Sequence, residues 1–357
     1  MPSAPLLTVA VAMYNSEETV GQLLESLLRQ ADDNVEVVVV DDGSTDGSVQ
    51  VLNSFKQTGK KIRLIKHSAN KGLGPARNTA VAEAKGTYVM FVDADDEVMP
   101  GALAAITGRL ASSELDIMFI GTVEHKRGRD APLHDPAMLK RLAIATEPWN
   151  ISSHPELLFF PPSTWSKIFR RDFLLENDIE FPPGYHQDLP SSTEALLRAE
   201  RVGGLDYLCY RYIRRGEGSS ATRSKGTKTL VRVDQIRRIR ERIDISSLPP
   251  NVQEHLVASV AMHLIWGNRA AYRTLPEELH EELFTRSATE LKWWLEVARP
   301  GSSVRSEPLM PTREREKFTR SLERGDFSAW QRAMAAHTRK LRWRRRFSPA
   351  RYRLFKS

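Results

Sequence analysis

The chain has 357 residues, 41% hydrophobic and 27% charged, with a formal net charge of +7. These are the values of an ordinary globular protein long enough for two domains. No apolar run reaches membrane-spanning length, the nearest being the short stretch 257–266, which is interrupted by His263.

The opening MPSAPLLTVAVAM carries no basic leader, so no secretion signal is expected, and residues 6–13 read as a first strand. Val20, Leu23, Leu24, Leu27 and Leu28 then recur on one helical face, with Ser16 as the expected cap and Glu17 and Glu18 in the first turn. Residues 35–40 form a second buried strand that ends in Asp41, Asp42, Gly43, Ser44, Thr45 and Asp46. That glycine permits a tight turn, and the acids and hydroxyls can bind a ligand or cap the next helix. A weaker strand at 62–66 leads into NKGLGPARN, where Pro75 fits the first turn of a helix whose amino end suits an anion.

The stretch 86–99, GTYVMFVDADDEVM, is the most informative. A β-branched and aromatic run over 88–92 reads as a buried strand, and it stops in Asp93, Asp95 and Asp96. Carboxylates crowded at a strand's carboxyl end call for cations beside them, and a divalent metal is the densest source of positive charge. The alternative is that Asp96 and Glu97 only begin the following helix, expected over 100–112, before another strand at 115–120.

Strand and helix alternate every 25 to 30 residues, the pattern of a doubly wound, mainly parallel α/β sheet, and the polar clusters after strands two, three and four would share one sheet edge. That co-location points to a phosphorylated nucleotide bound through a metal. Gly72 and Gly74 follow the third strand, and the first turns through Tyr14 and Asn15 without glycine, which disfavours a hydride-transfer enzyme. An aspartyl-phosphate phosphatase would carry its acids after the first strand, and here they follow the fourth.

From Pro148 the character changes. PPSTWSKIFR over 161–170 leads to a short helix, and FPPGYHQDLP over 181–190 places Asp188 before an apolar helix, as a cap or as a base aimed into the site. Residues 205–213 form a last strand holding Cys209, which reads as a buried hydrophobe, and RRGEGSS over 214–220 is a basic loop able to close on phosphates. Beyond 225 the chain reads as helices broken at Pro249 and Pro250, near Pro276 and at 300–311, with Trp266, Trp293 and Trp294 expected to pack between them. Residues 339–357 hold nine Lys or Arg and no acid, leaving 43 basic against 45 acidic residues elsewhere. The body therefore gives no support to nucleic-acid binding. The tail, with Trp343, Phe347, Tyr352 and Phe355, reads as a contact for an anionic membrane or as a solvated terminus.

These motifs, in this order, resemble the inverting family 2 glycosyltransferases with a GT-A fold, especially bacterial enzymes of cell-wall, capsular or other surface glycans. The resemblance spans about residues 6–223. It rests on Met13-Tyr14-Asn15 with Glu17 or Glu18, VVVVDDGSTDGS, NKGLGPARN, VDADD, TWSKIFRR with FPPGYHQD, and YRYIRRGEGSS. It implies a GT-A domain over 1–224, after which the residue pattern alone gives a helical C-terminal region over 225–338 and the basic aromatic tail at 339–357. A nucleotide-sugar donor, a UDP-sugar first, would lie against Tyr14, Glu17, Asp42, Asn70 and Arg77. Asp95, with Asp93, would hold a Mn²⁺ or Mg²⁺ bridging its phosphates, and Arg214, Arg215 and Ser219 would close over them. Asp188 would be the general base, with His186 as its substitute, and Trp165, Lys167 and Gln187 would line the acceptor side. The family's usual pattern at 187–188 is Glu then Asp, so Gln187 is a departure that removes a negative charge beside the base. The function so implied is metal-assisted, inverting hexosyl transfer to a hydroxyl of a surface-glycan or lipid-linked acceptor, in the cytoplasm or at the membrane's inner face. The competing expectation is a non-catalytic nucleotide-sugar-binding or scaffold subunit of a glycan assembly complex.

Overall fold

The computed structural model describes residues 4–57, 62–215, 230–297 and 312–347. Two compact units divide the chain: Met1–Ser153 with Phe160–Gly216, and His154–Phe159 with Glu217–Ser357.

The first unit is an α/β layered structure. Its elements are β1 (Leu7–Met13), α1 (Val20–Leu28), β2 (Val35–Asp41), α2 (Ser48–Gln57), β3 (Ile62–Lys66), α3 (Leu73–Glu83), β4 (Tyr88–Asp93), β5 (Glu97–Val98) and α4 (Ala102–Ala111). They continue through β6 (Ile117–Lys126), β7 (Arg129–Pro132), α5 (Pro136–Ile144), β8 (Lys167–Arg170), α6 (Arg171–Glu176), α7 (Asp188–Arg198) and β9 (Val202–Ile213). The sheet order is β3-β2-β1-β4-β8-β6-β9-β5, with β7 on β6.

The strands β1, β2, β3 and β4 are parallel, with Met13 opposite Asp41 and Ala12 opposite Asp93, so their carboxyl ends share one edge. The short β8 runs antiparallel between β4 and β6, and β9 is parallel to β6. Ile213 therefore also ends at that edge, and because β8 is reversed, so do Thr164 and Trp165 just before it. Among the described residues six of nine strands point one way, as the alternation of elements led one to expect. The sheet nevertheless closes through an antiparallel strand that the sequence reading took only as a lead-in to a helix.

Burial follows the periodicities. Val9, Val11, Leu23, Leu24 and Leu27 are fully buried on the α1 face of the sheet, each contributing about 2 kcal/mol of hydrophobic stabilisation. One local expectation fails: Ser16 does not cap α1. Its hydroxyl donates to the Tyr14 carbonyl at 3.1 Å, and Thr19 occupies the cap position without a side-chain cap bond. The hydroxyl's bond to the Tyr14 carbonyl is the local alternative to a cap, and Ser16 N–H donates to Ser48 Oγ at 2.7 Å, tying this turn to α2.

The second unit is helical: α8 (Val231–Arg242), α9 (Pro250–Ala271), α10 (His280–Val297), α11 (Thr312–Glu323) and α12 (Phe327–Phe347). The breaks near Pro249–Pro250 and Pro276 fall where proline removes a backbone donor. Trp294, Phe318 and Trp330 are fully buried, and the buried Glu290 carboxylate is held by Arg237 at 2.8 Å and Arg240 at 3.0 Å. Trp294 packs as expected and Trp293 is half-buried, but Trp266 is 46% exposed. Its place on α9 faces away from the stripe carrying Leu256, Val260 and Leu264.

Candidate active site

The sheet edge collects the loops after β1, β2, β3 and β4. Tyr14 follows β1 and is 46% exposed. Asn15 adopts a left-handed backbone, φ 45°, and its Oδ1 accepts from Thr45 N–H at 2.9 Å. Glu17 Oε2 accepts from Gly47 N–H at 2.9 Å, so this acid braces the loop after β2.

Asp42 is buried and already well used. Its carboxylate accepts from Lys71 N–H at 3.0 Å and Gly72 N–H at 2.7 Å, and meets His67 Nδ1 at 2.6 Å. The other ring nitrogen of His67 meets Thr79 Oγ1 at 2.9 Å. This carboxylate therefore shapes the NKG loop at the start of α3, where Gly72 has φ 96°. Asn70 is exposed on that loop. Sequence reading missed His67; its only signal is its position one residue beyond β3.

Arg77, one turn into α3, is the hub of the site. Its guanidinium is 4% exposed and donates to Asp93 Oδ1 at 2.7 Å, Thr164 Oγ1 at 2.9 Å and Gln187 Oε1 at 3.2 Å. It lies 5.8 Å from the Phe91 ring centroid and 5.9 Å from that of Phe181. The fork geometry of arginine is what lets one side chain join β4, the loop before β8 and the start of α7. Packing supports it: a Cβ on Gly74 would stand 2.2 Å from the Pro182 carbonyl, and Asn78 exchanges hydrogen bonds with the Phe181 backbone at 2.8 and 3.0 Å.

The acids after β4 separate into different roles. Asp93 pairs with Arg77 and keeps its side chain 25% exposed, while Asp95, at 37%, stands 3.6 Å from Arg215. Arg215 also donates to the Asp95 carbonyl. Asp96 is 2% exposed and accepts from Tyr210 O–H at 2.6 Å and Ile213 N–H at 2.7 Å. It does not begin a helix, because residues 97–98 pair as β5 with Tyr210 and Arg211 of β9. Tyr210, the first residue of YRYIRRGEGSS, also accepts from Asp93 N–H at 3.2 Å and so fixes the turn. Burial, then the Asp93 charge, raises the Asp95 carboxyl to about 6, and burial, then the charges of Asp93 and Asp95, raises Asp96 well above the usual carboxylate range.

Arg214 pairs with Glu124 at 2.5 Å. Ser219 lies outside the described residues.

The residues expected on the acceptor side separate. Trp165 is half-buried and stacks parallel to Tyr210 and Tyr212, with centroids 5.0 and 5.7 Å apart. Lys167 corrects the expectation: it is fully buried, and its ammonium donates to the carbonyls of Pro161 at 2.7 Å and Ser163 at 3.0 Å, so it cannot line an open surface. Gln187, 4% exposed, likewise faces Arg77. An amide oxygen satisfies that guanidinium N–H without a second charge, which accounts physically for glutamine beside Asp188. Asp188 is half-buried in the first turn of α7, next to the residue that Arg77 holds. His186, with φ 60°, precedes that turn.

Residues 8–168 match the model for Glycosyl transferase family 2. The chain is 33% identical over 216 residues to "Uncharacterized glycosyltransferase EpsJ" of Bacillus subtilis, covering 58% of this chain and 61% of that protein. It is 31% identical over 216 residues to "Poly(ribitol-phosphate) beta-N-acetylglucosaminyltransferase TarS" of Staphylococcus aureus, covering 59% of this chain and 36% of TarS. The match thus spans less than two thirds of either relative. The crystal structure of S. aureus TarS 1–349 in complex with UDP-GlcNAc superposes with a TM-score of 0.72 at 21% identity, over 94% of this chain and 92% of that one. The sequence of residues 8–168 is thus similar to the Glycosyl transferase family 2 model, and the fold is like that of TarS 1–349, an α/β GT-A unit with a helical region after it in the chain.

Proposed function

We propose that this protein is an inverting glycosyltransferase that moves a sugar from a nucleoside diphosphate donor, a UDP-sugar, to a hydroxyl of a surface-glycan or lipid-linked acceptor. The observation that carries the reading is Arg77, which ties the acid at the end of β4 to the residue next to Asp188 and so brings the candidate donor side and the candidate base to one point. The binding of UDP-GlcNAc by the structurally similar TarS, and the polyol-phosphate polymer in that enzyme's name, support the donor and acceptor classes.

Tyr14, Glu17, Asp42, Asn70 and Arg77 form or shape the donor side. Asp93 and Asp95 fit a divalent cation, Mn²⁺ or Mg²⁺: two neighbouring carboxylates sit half-buried, and burial, then the Asp93 charge, raises Asp95 to about 6. Among the described residues no group of three or more His, Cys, Asp or Glu is arranged to hold a metal, so these two would share it with donor oxygens. When bound, the ion neutralises the charge of the departing diphosphate. Arg214 and Arg215, with Ser219, would add donors beside that diphosphate. Asp188 would accept the proton of the acceptor hydroxyl as that oxygen bonds to the anomeric carbon. The bond from that carbon to the phosphate oxygen breaks on the opposite face, which inverts the sugar's configuration.

In this reading residues 1–224 perform transfer, while the helical region 225–338 and the basic tail 339–357 hold the enzyme near its acceptor at an anionic inner membrane face. No described helix is long and apolar enough to cross a membrane. Asp188→Ala is expected to bind UDP with Mn²⁺ as the parent does while turnover falls by about 10² or more. Equal turnover in the two proteins would remove Asp188 as base, and no turnover by the parent on any nucleotide sugar would favour a binding subunit.

A further inference from the structure

Lys167 is an expensive choice for its position. The side chain is fully buried, and the hydrogen bonds of its ammonium go to neutral oxygens: the Pro161 and Ser163 carbonyls at 2.7 and 3.0 Å and Ser166 Oγ at 3.3 Å. The Phe119 ring centroid lies 5.1 Å away. An apolar side chain of similar size fills such a space with less desolvation, so packing alone gives no reason to keep the charge.

Two titratable groups act on this ammonium. His134, beyond β7, is held down to about 4 by burial and by the Lys167 charge, so it is neutral near pH 7. Asp188, at the start of α7, favours the charged ammonium against the burial that lowers it to about 7. A third charge, Arg77, meets α7 through Gln187. The same loop is also tied to α7 mechanically: the Pro162 carbonyl accepts from Ser192 Oγ at 2.5 Å, one helical turn along from Asp188. Ser191 Oγ then donates to the Gln187 carbonyl at 3.0 Å, closing the first turn. Lys167, residues 161–163, Ser192 and Asp188 thus form a continuous brace.

We propose that Lys167 is a positioning residue for Asp188: its buried ammonium anchors the loop to which α7 is pinned and so fixes the start of the helix that carries the acid. This rests on Asp188 as the base. Removing the ammonium frees the loop and with it the start of α7, so transfer should suffer more than donor binding, a split that a general loss of packing would not produce.

The test measures kcat and KM for the parent, Lys167→Met and Lys167→Gln, with UDP binding in Mn²⁺ measured alongside. The expected result is UDP affinity within about threefold of the parent and kcat lower by about 10-fold or more. A kcat within about threefold of the parent, or UDP affinity that falls as far as kcat does, overturns the proposal. Asp188→Ala with undiminished turnover would instead defeat the base assignment and leave the brace intact. A reciprocal measurement avoids core substitutions: the Lys167 ammonium is titrated by NMR in the parent and in Asp188→Asn. The ammonium should lose its proton at lower pH in the variant, and an unchanged midpoint overturns the proposal.

Discussion

Replacing Arg77 by alanine removes the guanidinium on which three segments of the α/β unit converge. Breaking a buried ion pair by deleting one partner costs about 3 to 5 kcal/mol, and each hydrogen bond from a charged donor about 1.5 to 3 kcal/mol. These terms do not add. The Asp93 side chain is 25% exposed, so water can resolvate it, whereas Thr164 and Gln187 are buried and would be left without this donor. The net loss is therefore expected at about 4 kcal/mol. Urea unfolding of the intact protein would show it as a midpoint lowered by about 2 M, for a slope of about 2 kcal/mol/M. Arg77→Lys keeps the charge but cannot fork, and should lose roughly half as much. In an Arg77→Ala background, Asp93→Asn should cost at least about 1 kcal/mol less than in the parent. A midpoint shift below about 0.5 M for Arg77→Ala, or strict additivity with Asp93→Asn, would refute the role given to this residue.

Other expectations concern the same edge. Asp95 is raised to about 6 in the fold, so its protonated form is favoured. Its stabilising contribution is complete below its ordinary value of 3.8 and lost as pH rises through about 6, while Mn²⁺ affinity, which needs the carboxylate, should weaken about tenfold per pH unit below 6 by calorimetry. Gly74→Ala drives a Cβ to within 2.2 Å of the Pro182 carbonyl and should lower the melting temperature by several degrees, for a loss of about 2 kcal/mol. Gly108→Ala, in α4 with nothing within 4 Å, should raise it through about 0.5 to 1 kcal/mol of helix propensity; the reverse ordering of the two would contradict both readings. Gln187→Glu restores the more usual acid and places it against Arg77, so the fold and UDP binding should survive, as a thermal shift with UDP would report.

The sequence made the regular parts of this architecture readable because burial there is periodic. The VVVV run before Asp41 and the leucine stripe of α1 can be buried in few other ways. Acids at the tips of β2 and β4 were legible for the same reason, since a buried strand that ends in carboxylates locates an edge. What escaped depended on partners distant in the chain. The four residues of β8 carry no period, and Lys167 among them looks like a surface residue until the Pro161 and Ser163 carbonyls fold back onto it. The resemblance to family 2 glycosyltransferases puts Lys167 and Gln187 on the acceptor side. Both are buried, and both hold other parts of the protein. Asp96 was ambiguous between helix start and site, and Tyr210, 114 residues away, decides it. His67 gave no signal, because single polar residues beside strands are common, and Thr164 was legible only as the first residue of TWSKIFRR, without its bond to Arg77.

The most direct test is a calorimetric titration of UDP, with and without Mn²⁺, into the parent protein and Asp95→Asn. Binding that is strengthened by Mn²⁺ in the parent and insensitive to it in Asp95→Asn is the expected result. Curves that coincide with and without the ion in the parent, or a metal effect retained in full by Asp95→Asn, would contradict a donor site built on the acids that end β4.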